Sequence, residues 1–255
     1  MNIKKDYFLV IITIVICSAA GIALWKVLKK KDKDLPEEKA IEKRKEIIKQ
    51  LEEELKTQEH NLLGEGIVLL DENINDDLDK TKVKGLDIFT DGSVVLVNAA
   101  NDTFSIGGGG LNKAITDYVA KRNGLNENNK WRMLFGGDTG EFKDRIAYSV
   151  YDKGRVLHLV GLKGDEVGKL NLKIEEVTDF TRDLILSGLN YIDRKFKYSK
   201  FFLIPFISTG IYACEGKDVN GVIFSKYEFI LRAKLGVYKA LFEYKGDSTL
   251  ILNRR

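Results

Sequence analysis

VVLVNAANDTFSIGGGGLNKAI, residues 94–115, is the stretch whose reading decides the fold. It holds three features in succession. Residues 94–97 are wholly apolar and rich in β-branched side chains, as in a strand buried on both faces. Asn98 and Asn101 then bracket two alanines where that strand should end. Gly107, Gly108, Gly109 and Gly110 lead into a segment whose apolar residues, Leu111, Ala114, Ile115, Tyr118 and Val119, fall at helical spacing. A strand, a glycine loop and a helix start form the arrangement in which backbone N–H groups and a helix dipole cradle a phosphate. A run of glycines is also simply a flexible turn. The loop fits neither familiar phosphate fingerprint, because no Lys-Ser/Thr follows it and G-x-G-x-x-G is missing.

Around this stretch lies a chain of 255 residues, 44% hydrophobic and 31% charged, with room for one mid-sized domain and something smaller. The net charge of +3 is unevenly spread. Residues 1–34 hold seven lysines against three aspartates, and residues 35–62 hold eight glutamates against six Lys/Arg. Residues 63–255 are therefore close to neutral. They lack the basic excess of a nucleic-acid surface, and no nucleic-acid partner is expected.

After a short polar N-terminus at residues 1–6, residues 7–25 contain no charge. At about 1.5 Å per residue they make roughly 28 Å of helix, enough to cross a hydrocarbon core. Tyr7 and Trp25 stand at the ends, where interfacial aromatics belong. Lys4 and Lys5 would suit a signal peptide, but the apolar run is long for one. The expectation is a single-pass transmembrane helix with the membrane as partner. The lysines after the span outnumber those before it, which puts the C-terminal part in the cytoplasm. With Cys17 in the span and Cys214 far downstream, no disulfide framework is expected. Residues 26–62 read as a charged helical stalk with many Glu/Lys pairs three or four apart. Ile41, Ile48, Leu55 and Leu62 fall seven apart in it, but too few heptads are good enough to define a coiled coil.

From residue 63 onward apolar strands alternate with helices, which implies a layered α/β domain with a mixed, mostly parallel sheet. Two of its strands end in loops suited to an anion: residues 94–97 before the glycines, and residues 201–207 before Ser208, Thr209, Gly210, Ile211 and Tyr212. Ligands of open α/β sheets bind outside the carboxyl ends of strands. If these two strands are neighbours, their loops can clamp a diphosphate. Ser208 and Thr209 supply hydroxyl donors, Gly210 permits close approach, and Tyr212 offers a flat face. Ser-Thr-Gly is also common turn chemistry. His158 lies inside an apolar strand and reads as a hydrogen-bonded core histidine.

These residues resemble the macro domain family, the ADP-ribose-binding module. Beside VNAAN and its glycine run, residues 83–88 resemble the family's K-G-D-I segment with Leu86 as an extra residue. Residues 138–141 resemble its P-T-G-E loop, residues 156–161 its V-I-H-x-V-G strand, and residues 204–212 its I-P-x-I-S-T-G-I-Y loop. The resemblance covers about residues 64–245. It implies a three-layer α/β/α fold within residues 63–255. It implies that Asp87 accepts a hydrogen bond from the adenine amine, that the backbone at Ile88 helps read the ring, and that Asn101 holds the distal ribose. Gly108, Gly109, Gly110 and Leu111 on one side, and Ser208 to Tyr212 on the other, would surround the diphosphate and distal ribose. No metal and no cofactor are implied, only ADP-ribose as ligand.

The departures bear on activity. Many hydrolytic members carry an aspartate two residues after the glycine run, where this chain has Asn112, and a carboxamide cannot take up a proton at neutral pH. Viral-type members often place a histidine just before the glycines; here it is Ile106. Glu215 is the nearest carboxylate to the second loop in sequence. The leading expectation is a membrane-anchored, cytoplasmic reader of ADP-ribose or mono-ADP-ribosylated protein. One alternative is an ADP-ribosyl-protein hydrolase or O-acyl-ADP-ribose deacylase using Asn101 and a positioned water. Another is a degenerate macro fold acting only as a membrane-tethered interaction module.

Overall fold

The computed structural model describes residues 37–71, 82–83, 86–87, 92–102, 109–123, 140–141, 145–151, 154–197, 199–210 and 212–254. The chain divides into two compact units, Met1–Lys49 and Gln50–Arg255. In the first, the described residues are helical. Among the described residues all the strands lie in the second.

A seven-stranded sheet organises the second unit. In chain order its members are β1 (Val68–Leu70), β4 (Val94–Ala100), β5 (Gly140–Glu141), β6 (Ile146–Tyr151), β7 (Gly154–Val160), β8 (Phe201–Pro205) and β11 (Thr249–Asn253). Their spatial order is β1-β11-β8-β4-β7-β6-β5. The pairs from β1 to β7 are parallel, and β7–β6 and β6–β5 are antiparallel, so the sheet is mixed. Two small antiparallel ladders accompany it: β2 (Lys82–Val83) with β3 (Leu86–Asp87), and β9 (Gly216–Lys217) with β10 (Ile223–Phe224). Val94, Val95, Leu96 and Val97 are fully buried, as a strand covered on both faces requires. Burying each such side chain contributes on the order of 1.5–3 kcal/mol.

The helices are α1 (Glu37–Gly64), α2 (Gly110–Asn123), α3 (Val177–Lys195) and α4 (Lys226–Glu243). Alternation along β7 separates them into layers. Leu157 and Leu159 face α3, which comes so near that a Cβ on Gly188 would lie 2.8 Å from Leu159 and 3.0 Å from Leu157. His158, between them, points to the opposite face and reaches the polar residues beneath α2. α4 packs on α3, where the Thr178 hydroxyl donates to the Arg232 carbonyl oxygen.

Residues 221–242 read in sequence as one amphipathic segment, but the structure divides it. The buried Asp218 carboxylate accepts from the backbone N–H of Asn220 and of Val222, folding the chain back so that β10 pairs with β9. Ser225 then caps α4 by accepting from the Glu228 N–H at 3.1 Å. Ser225→Ala is expected to cost about 1 kcal/mol, measured by urea unfolding.

The structure corrects the stalk and the membrane anchor. Between Gln50 and Gly64, α1 is part of the compact unit, not a solvated spacer. Leu51, Leu55 and Leu62 are buried, Tyr227 donates to Glu52, and Tyr238 donates to Glu59. Arg254 pairs with both Glu59 and Asp71. Leu55 and Leu62 of the seven-residue series, together with Leu51, therefore form a stripe that docks on the chain's own domain, while Ile41 is exposed. Among the described residues no helix is long and apolar enough to cross a membrane. Residues 7–25, with Tyr7 and Trp25, lie outside the described residues. The single-pass membrane localisation, the membrane partner, the cytoplasmic orientation inferred from it and the membrane-anchored reader and module readings lose their support.

Candidate functional site

β4 is hydrogen-bonded in parallel to β7 on one side and to β8 on the other. Ala100 pairs in register with Val160, so those two strands end level. The chain leaving β4 at Asn101, β7 at Gly161 and β8 at Phe206 therefore emerges along one edge of the sheet. In an open α/β sheet this is the edge at which ligands bind.

Ser208 is the most unusual residue there. It is only 3% exposed and its φ of 64° lies in the left-handed region that favours glycine. Its Oγ is buried and has no hydrogen-bond partner among the described residues. The loop can hold this position because Gly161, at the end of β7, has no Cβ; one placed there would lie 2.3 Å from Ser208 Oγ. Thr209 Oγ1 donates to the Phe206 carbonyl at 3.3 Å, and the Ala213 N–H to the Gly210 carbonyl at 3.1 Å, which closes the turn.

An ion pair joins the three loops. Lys163 Nζ lies 2.7 Å from Asp102 Oδ2 and 5.1 Å from the centroid of the Tyr212 ring, while the Gly164 N–H donates to the Tyr212 carbonyl. The hydrogen bond from Lys163 holds the Asp102 carboxyl below its ordinary range, and the same bond raises Lys163, so both are charged at neutral pH. Burial, followed by the Asp102 charge, pushes the Tyr212 phenol up. Neither Asp102 nor Lys163 carries a motif signal, and they are sixty-one residues apart. Only the parallel pairing of β4 with β7 brings them together.

Behind the edge, under α2, lies a buried polar cluster. Asn98 Nδ2 donates to Asn112 Oδ1 at 2.7 Å and lies 3.0 Å from His158 Nδ1. With an amide N–H donating to Nδ1, the histidine proton sits on Nε2 and is given to Ser149 Oγ at 2.7 Å. The imidazole therefore cannot act as a base toward that serine, despite the Ser-His pairing. Burial pushes the His158 pKa down to about 3, so the ring is neutral. Asn112 is 4% exposed and committed to this cluster. Its side chain holds α2 to the sheet.

The remaining expected site residues are distributed as follows. Asn101 is half-buried immediately after β4. Gly109 is half-buried, and Gly110 opens α2 with a φ of 56°, open space lying where a Cβ would be on either. Leu111 is buried in the first turn of α2. Asp87 lies in the small β2–β3 ladder, opposite Lys82. Ile88, Gly108 and Ile211, together with Ile106, lie outside the described residues. Glu215 is exposed. Asp102, not Glu215, is the carboxylate joined to Lys163 beside Tyr212. Among the described residues no group of three or more His, Cys, Asp or Glu is placed to hold a metal ion.

No family model matches the sequence, and no curated protein matches it. Among solved structures, a macrodomain mutant of Oceanobacillus iheyensis with ADPR is similar to this chain at 15% identity. The likeness covers 73% of this chain and 84% of that one, with a TM-score of 0.40. So distant a likeness carries no argument about fold or ligand.

Proposed function

We propose that the chain binds ADP-ribose, either free or carried on a mono-ADP-ribosylated protein, at the sheet edge where β4, β7 and β8 end. The observation that carries this reading is the parallel pairing of β4 with β8. The pairing sets side by side the ends of the two strands that lead toward the expected anion-binding loops. Ser208, after the second strand, holds a buried hydroxyl, with no hydrogen-bond partner among the described residues, in left-handed backbone. A ligand rich in acceptor oxygens would satisfy that hydroxyl together with the N–H groups at the start of α2.

In this reading Asn101 holds the distal ribose. Gly108, Gly109, Gly110, Leu111 and the 208–212 loop enclose the diphosphate. Asp87 and the backbone at Ile88 read adenine. The reading is of a binder. The carboxamide at Asn112 cannot take up a proton, and it is spent on Asn98. Calorimetry with free ADP-ribose tests the proposal. Saturable heat that weakens about tenfold in Asn101→Ala is expected, one well-placed hydrogen bond being of that order. No heat at millimolar ligand would refute it. Release of ADP-ribose from a mono-ADP-ribosylated protein would show the binder reading to be too narrow.

A further inference from the structure

The Lys163–Asp102 pair lies at the edge at which the ligand is proposed to bind. Its side chains are 26% and 52% exposed, and an ion pair that open adds little to stability. Its position is more informative. Asp102 lies just past β4, Lys163 just past β7, and the Tyr212 ring beneath the ammonium lies past β8. The neighbouring cation, Arg145, is occupied elsewhere. It donates to the Gly161 carbonyl and to Glu166, and it lies over the Phe180 ring. Lys163 is different, because its flexible four-carbon stem can swing the charge away from Asp102. Ser208 Oγ, in the same loop as Tyr212, is an independent sign of a ligand bearing acceptor oxygens here.

On the ADP-ribose reading above, we infer that Lys163 selects for the anionic diphosphate and that Asp102 is its internal competitor. Without ligand the ammonium is held by Asp102 over the Tyr212 ring. A bound diphosphate draws it inward, and Asp102, now an unneutralised carboxylate near a dianion, opposes that binding. The two partners of one ion pair thus have opposite effects on affinity.

Calorimetry with ADP-ribose on four proteins tests this, each checked for folding by thermal melting. Lys163→Met should weaken binding about tenfold, the scale of one charge-assisted hydrogen bond. Asp102→Asn should tighten it about threefold, since it both frees the ammonium and removes a repulsion. Lys163→Arg should keep most of the wild-type affinity. Raising salt from about 50 to about 300 mM should weaken binding more in the wild type than in Lys163→Met, because the screened attraction is missing in the variant. If both Lys163→Met and Asp102→Asn weaken binding to a similar degree, the pair merely holds the loops together and the inference fails. Unchanged affinity in Lys163→Met also sinks it. If the wild-type protein itself gives no heat, the ADP-ribose reading fails as well, so the two failures are told apart.

Discussion

Stability is expected to fall steeply as pH drops below about 6.5, with His158 as the principal cause. In the folded chain its pKa is pushed down to about 3 by complete burial, whereas in the unfolded chain it takes up a proton near the ordinary histidine value. Between these two values the unfolded state binds one proton more than the folded state, so stability rises with pH. Acid therefore favours unfolding. Each pH unit below about 6.5 removes up to ~1.4 kcal/mol, and pH 5 stands about 2 kcal/mol below pH 7 on this account alone. Asn98 and Ser149, which hydrogen-bond the ring, and Asn112 behind Asn98 carry no charge that could stabilise imidazolium. The other histidine, His60, is exposed on α1. Urea unfolding of the wild type and of His158→Gln at pH 7 and pH 5 checks this. The variant should be less stable at pH 7 but lose about 2 kcal/mol less between the two conditions. Equal pH dependence in the two proteins would mean that another group controls the acid transition.

The apolar runs at residues 94–97 and 201–207 identify two strands directly, because a strand covered on both faces has no alternation to blur. That these strands are neighbours is a property of the sheet order. Nothing local in either segment encodes it. The same limit hid Lys163 and Asp102, each an ordinary charge until β4 and β7 pair. In α1, sequence spacing gave the apolar stripe but not its partner. Leu55 and Leu62 at seven-residue spacing suit a second helix or the chain's own domain equally, and the structure has them on the domain. The break within residues 221–242 depended on Asp218, whose carboxylate bends the backbone. His158 was legible for the opposite reason. Val156 and Val160 share the face of His158 while Leu157 and Leu159 occupy the other, so the strand is apolar on both faces, its histidine is buried, and a buried imidazole finds uncharged partners.

Gly161→Ala is expected to damage both the fold and binding, and Ser208→Gly to separate the two effects. A Cβ at position 161 would lie 2.3 Å from Ser208 Oγ, 2.8 Å from the Ile207 side chain and 3.1 Å from the Ser208 nitrogen. Ile207 is fully buried and cannot yield freely, so the strain should reach the loop backbone at a cost of about 1–3 kcal/mol. ADP-ribose affinity should drop at least about tenfold, since the displaced loop is one wall of the proposed site. Ser208→Gly alone should behave in the opposite way toward stability. It relieves a left-handed residue and removes a buried orphan hydroxyl, each worth about 1 kcal/mol or more, against a smaller entropic loss for the added glycine. The net expectation is a gain of about 1 kcal/mol together with weaker binding, the pattern of a residue kept in an unfavourable state for a ligand. The double variant Gly161→Ala/Ser208→Gly should recover much of the stability lost in Gly161→Ala, but none of the affinity. Urea unfolding and calorimetry on the four proteins give the complete cycle. No recovery in the double variant would place the clash on Ile207 instead. Wild-type affinity in Ser208→Gly would leave the buried hydroxyl without a role in binding.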